Sequence, residues 1–232
     1  MRGFPEQQKM ERNFGTKLTG WFFIVTALML WLGWMLMPAR IGTFFQVADF
    51  STIYENLLFW IWMYRIHLFG MIFAVISLSA LAALVADTPS RILVWPGTAV
   101  ASSGMLVSAV ATAFYYHFGA WGAIDMNGQS AETVAAFVDS LRLSTEHVTC
   151  LVRFGRLFSG LGLLILALAI LKWRLFPKWS GIWAALVGLS AMALTMGLPD
   201  DLALYVPVFH LTAAWFGVSG IVSLHSGIRL DQ

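Results

Sequence analysis

The chain has 232 residues, of which 59% are hydrophobic and only 11% charged, with mean hydropathy +0.77 and formal net charge +2. A soluble domain carries roughly 25% charged residues, so this is the composition of an integral membrane protein, with no length left for a soluble enzyme domain. The single cysteine, Cys150, excludes an intrachain disulfide and the CxxC, zinc-finger and iron–sulfur patterns; no nucleic-acid motif, P-loop or GxGxxG unit is present.

Residues 1–17 are polar and basic, with Arg2, Lys9, Arg12 and Lys17. A first span follows at Leu18–Met37, free of charge. It is too long for the apolar core of a signal peptide, and MPAR is no small-residue cleavage site, so it reads as retained. Residues 38–52 are expected to form a loop. The second span, Ile53–Ala86, is long enough to tilt or protrude and holds Glu55, Arg65 and His67. DTPSR at 87–91 is a turn. The third span, Ile92–Phe118, is rich in small residues that allow close helix approach, and it ends in Tyr115, Tyr116 and His117. Residues 119–131 are expected as the longest polar loop.

One helix is then expected from Glu132 to Leu171, with no proline until Pro177. Its second half is apolar and its first half carries Asp139, Arg142, Glu146, His147, Arg153 and Arg156. About 20 residues span the hydrocarbon at 1.5 Å per residue. Counting back from Leu171 therefore sets Arg153 and Arg156 at membrane depth, where ionisable groups face protein or a water-filled cavity. The fifth span is Ile182–Met196, LPDD at 198–201 is a turn, and the sixth span is Leu202–Leu224, with Pro207 and His210. The fold class is all-α: a polytopic membrane helix bundle of six transmembrane helices, with a segment 1–17, a transmembrane domain 18–226 and a tail 227–232.

Nine of the fourteen Lys and Arg fall on the side of the N-terminus, whereas most acids lie at or near the opposite side. The positive-inside rule then gives an N-in, C-in topology, and the bacterial inner membrane is the expected setting.

The polar residues concentrate in one layer. Counted from the inner span ends, Arg156 lies roughly 22 Å up, His210 24 Å, Arg153 27 Å, His67 28 Å and Arg65 31 Å. His117 and His147 lie at about 36–38 Å. Two histidine pairs thus match in level: His67 with His210, and His117 with His147. Gly70 and Ala74 under His67, and Ala213, Ala214 and Gly217 under His210, leave room for a flat group on each face. Arg65 and His67 are ~200° apart around their helix and face different partners.

Paired histidines on different helices can ligate a haem b axially, and the expected haem site is His67 with His210. His117, His147 and Glu146 offer an imidazole–carboxylate set for a transition metal near the outer surface. Arg153, Arg156 and Arg65 share their level with no carboxylate, and buried guanidinium groups call for an anion, carbonyls or water. A haem propionate, a phosphate head group or an acidic substrate would each serve. The leading expectation is a haem- or metal-dependent redox membrane subunit exchanging electrons with a quinone or a periplasmic partner. Its alternatives are a transporter or binding protein for an anionic small molecule, and an accessory subunit whose polar layer docks a partner helix or membrane lipid within an oligomer or larger complex.

Overall fold

The computed structural model describes residues 5–35, 44–197 and 202–228. Among them there are seven helices and no strand: α1 (Pro5–Met35), α2 (Val47–Glu55), α3 (Leu57–Leu84), α4 (Arg91–Met126), α5 (Ala131–Trp173), α6 (Lys178–Gly197) and α7 (Leu202–Ser226). All except α2 are long and apolar enough to cross a membrane. The protein is a polytopic membrane helix bundle.

The six spanning helices form a closed ring in the order α1, α3, α4, α5, α6, α7 and back to α1. Glycine explains most of its joints, because the absence of Cβ lets two backbones touch. At the α4–α5 joint, the broadest of the six, a Cβ on Gly162 would strike the Ala101 backbone, and one on Gly104 the backbone of Ser159. Gly160 and Gly188 face each other across α5 and α6, where a Cβ on Gly188 would lie 2.5 Å from the Gly160 carbonyl. Gly20 and Gly220 do the same for α1 and α7. Between α1 and α3, a Cβ on Gly70 would lie 2.9 Å from the Leu30 nitrogen, and one on Gly33 2.8 Å from the His67 backbone. The α6–α7 joint is the thinnest. Two side-chain hydrogen bonds hold it instead: Trp215 Nε1 donates to the Ser180 carbonyl (3.1 Å) and Tyr205 Oη to the Leu194 carbonyl (2.8 Å).

Two cores result. The larger lies within the ring and is mostly aliphatic, built from residues such as Leu30, Leu78, Leu81, Leu163, Leu166 and Ile170 around Phe23 and Trp215. The smaller core is aromatic and joins α2 to the far ends of α3, α4 and α5, with Phe45, Phe50, Ile53, Trp60, Met63, Tyr64, Ala120, Ala123, Val134 and Leu141. At 1.5 Å per residue the 36-residue α4 and 43-residue α5 reach about 54 and 64 Å, well beyond the ~30 Å of hydrocarbon. The smaller core lies at the end where these helices outreach that thickness, and this end is termed the lobe. The opposite end, with the 85–90 and 174–177 turns, is termed the base.

Three boundaries differ from the sequence reading. α1 starts at Pro5, so most of the polar 1–17 segment is helix, with proline at the first helical position where its missing N–H costs nothing. The expected loop 38–52 lies partly outside the described residues, but its end is α2. That helix opens on Gln46, whose backbone N–H donates to the Asp49 carboxylate at 2.7 Å, and closes at Asn56, where the expected second span breaks into α2 and α3. The expected loop 119–131 shrinks to 127–130, because α4 runs on to Met126. Gly119 and Gly122 read as loop residues, yet they are packing positions: a Cβ on Gly119 would lie 2.7 Å from the Trp60 ring, and one on Gly122 2.9 Å from Phe50 and Phe137. The expected turn 198–201 lies outside the described residues.

Candidate functional site

The arginine pair of α5 sits where α6 ends. The last four carbonyls of a helix lack intrahelical partners and carry its partial negative charge. In α6 these belong to residues 194–197. Arg153 donates through Nη2 to the Thr195 carbonyl at 2.8 Å, and Tyr205 of α7 takes the Leu194 carbonyl. Arg156 lies one turn further down α5 and stacks on the Tyr205 ring, 3.6 Å from its centroid. Among the described residues, these guanidinium groups meet a helix C-terminus and an aromatic face. Together they clasp the thin α6–α7 joint at its lobe end.

Arg65 serves a different joint. Its Nε donates to Tyr116 Oη of α4 at 3.1 Å, and the guanidinium lies over the Trp62 and Tyr116 rings. His67, ~200° away on α3, points into the ring. It is 3% exposed, hydrogen-bonds to the Leu30 backbone of α1, and lies 5.3 Å from the Phe209 ring of α7. Phe209 immediately precedes His210, so the level match between α3 and α7 holds. The expected room beneath the two histidines is nevertheless filled. Gly70 and Ala74 are buried, Gly70 against the backbone of Met29 and Leu30, while Ala213 is buried and Gly217 faces Ala27. The two small-residue faces are the seats of α1.

The proposed metal ligands lie on the lobe. His117 stacks on Trp121 and Phe118 of its own helix, His147 is exposed, and Glu146 pairs with Arg142 at 3.5 Å on the surface. Among the described residues no three His, Cys, Asp or Glu side chains come together as a metal-holding group, so His117, His147 and Glu146 do not converge. Cys150 is exposed.

Sequence reasoning passed over Tyr205, on whose ring Arg156 stacks and whose hydroxyl takes the Leu194 carbonyl, and the place of Trp60 at the centre of the lobe core. Tyr205 carries no formal charge and so escaped a search for ionisable groups. For Trp60 a signal existed: the small residues Gly119, Ala120, Gly122 and Ala123 mark a helix face that must meet something large. Comparison with protein-family models, with characterised proteins and with solved structures finds no match.

Proposed function

We propose that the protein is an accessory subunit of a larger membrane assembly and docks a partner through its lobe. The observation that carries this reading is the uncovered lobe face of α5. Leu143 is 79% exposed there, flanked at helical spacing by Asp139, Glu146 and His147. By residue count it stands about 45 Å from the basal end of α5, beyond the hydrocarbon and at the outer limit of the head groups. Lipid tails therefore do not cover it. A rigid lobe with its own core holds this face in place.

Among the described residues the lobe is acidic: Asp49, Glu55, Asp125, Glu132, Asp139 and Glu146 stand against Arg65 and Arg142. Charge complementarity selects a cationic partner segment, with an apolar side chain to cover Leu143. The polar groups nearer the bilayer support the same reading, since Arg153, Arg156 and Arg65 tie helices to one another. In the N-in topology the lobe faces the periplasm of a bacterial inner membrane.

The test is a photo-crosslinking amino acid at position 143, with position 110 on the bundle surface as control, followed by separation under mild detergent. A single protein adduct from 143 and none from 110, lost in Asp139→Lys/Glu146→Lys, is the expected result. Equal adducts from both positions, none from either, or an adduct indifferent to the charge reversal would overturn the reading.

A further inference from the structure

On the surface of the ring between α3 and α4, in the basal half of the bilayer, lies an open groove of about 400 Å3. Its floor is made of small residues, Ser79, Ala82 and Ala83 on α3 with Ala99 and Ser102 on α4. Trp95 forms a wall at its basal end: Nε1 donates to the Ala82 carbonyl at 3.0 Å, which fixes the ring while 54% of the residue stays exposed. One turn below Trp95 on the same face of α4 is Arg91, whose Nη1 reaches the Ala86 carbonyl at 3.3 Å. Arg91 is itself exposed and continues the line of the groove past its mouth.

We infer that this groove binds one anionic phospholipid, with an acyl chain along the α3–α4 floor and the phosphate at Arg91. The levels fit, because Arg91 and Trp95 lie one turn apart at the start of α4, where the chain enters the bilayer and where indole rings and cations meet head groups. Among the described side chains the base favours negative charge: Arg12, Lys17, Arg91, Lys172, Arg174 and Lys178 stand against Glu11 and Asp87. Width favours a lipid chain over a helix. A helix is about 10 Å across with its side chains, and the raised Trp95 ring narrows the approach between two helices that already touch. From Trp95 to Ser102 the floor runs about 10 Å, which seats the part of one chain nearest the glycerol.

Native mass spectrometry of the purified full chain tests this, with phosphatidylglycerol and phosphatidylethanolamine added in equal amounts. One phosphatidylglycerol is expected to stay bound to the wild type in preference to phosphatidylethanolamine. Ala99→Phe, which fills the groove, should lose it. Arg91→Gln should reduce phosphatidylglycerol to the level of phosphatidylethanolamine. Val110→Phe, on the lipid-facing surface elsewhere on α4, should behave as wild type. Ala83→Phe fills the groove from the opposite wall and carries the test should Ala99→Phe fail to give a monodisperse helical protein. Retention of phosphatidylglycerol by a folded groove-filled variant would overturn the inference, as would equal binding of the two lipids by the wild type. A wild-type dimer that Ala99→Phe turns into a monomer would overturn it too, by assigning the groove to a second copy.

Discussion

The bundle and the lobe solve the same packing problem in opposite ways. In the bundle, helix backbones touch at glycines, and the remaining space is filled by aliphatic side chains. Lipid offers no hydrophobic driving force between helices, so close van der Waals contact must hold them. In the lobe four helices surround the core, and one of them, α2, is only nine residues long. There the glycines of α4 face rings rather than backbone, and Trp60, Tyr64, Phe45 and Phe50 fill the space. Where water is the solvent, burying aromatic surface is itself a driving force. Bundle joints therefore should not tolerate added volume, and the lobe should not tolerate removed volume.

The largest expected effect follows from that contrast. Gly162→Ala drives a methyl group into the Ala101 backbone, which cannot move without parting α4 from α5. Its cost should exceed the ~3 kcal/mol of ordinary overpacking and abolish the monodisperse species on size exclusion. Gly119→Ala, the same kind of change in the lobe, meets only the Trp60 side chain. It should leave a folded protein with a lowered melting temperature. If both variants fold equally well, the contrast between the regions is wrong.

Next comes the converse substitution. Trp60 is 2% exposed, and truncation of a buried tryptophan to alanine costs about 3–5 kcal/mol. Because α2 and the ends of α4 and α5 share no other core, Trp60→Ala should release the lobe amides to hydrogen exchange while those of the ring core stay protected. Uniform loss of protection would mean that the lobe and the bundle unfold as one unit.

The third effect concerns the clasp between the regions. Arg153→Ala leaves the Thr195 carbonyl unanswered, a loss of about 1.5–3 kcal/mol for a hydrogen bond from a charged donor. Tyr205→Phe removes a neutral donor to the Leu194 carbonyl and should cost about 1 kcal/mol. The Arg156→Ala, Tyr205→Ala cycle should give a coupling of about 0.5–2 kcal/mol for the stacked pair. Thermal unfolding in detergent measures all three. An anion that restores the melting temperature of the wild type but not of Arg153→Ala would return these arginines to ligand binding.

How much of this could be read beforehand divides along the same line. Apolar runs about 20 residues long carry the six spans directly, and α5 is found within two residues at each end because no breaker interrupts 132–171. Arg65 and His67 were separable by rotation alone, and they do face α4 and α1 respectively. The lobe was not legible, for glycine has two uses. Gly119 and Gly122 belong to a helix face, but GAWGAIDMNGQ also has the composition of a loop, and only the ring of Trp60 tells them apart. The answer to Arg153 was hidden for another reason. A helix C-terminus carries no charge that sequence inspection can count, so carbonyls could be expected for Arg153 but the end of α6 could not be named as their source.

The smallest expected effect isolates the lobe by pH. Asp49 sits in the first turn of α2, and burial raises its pKa above the ordinary aspartate value, against the opposing pull of the Gln46 N–H. The folded lobe thus holds the proton more tightly than the unfolded chain does. A raised folded pKa means stability that is complete below the unfolded value and is lost as pH rises through the folded one. Lobe protection from hydrogen exchange, corrected for intrinsic rate, should therefore fall slightly as pH increases across the acidic carboxylate range. Asp49→Asn cannot titrate and should remove that slope while keeping an oxygen to accept from Gln46. The ring core contains no such group near α2, so its protection should follow one pH profile in both proteins; a slope that survives in Asp49→Asn would assign it to another of the lobe's carboxylates.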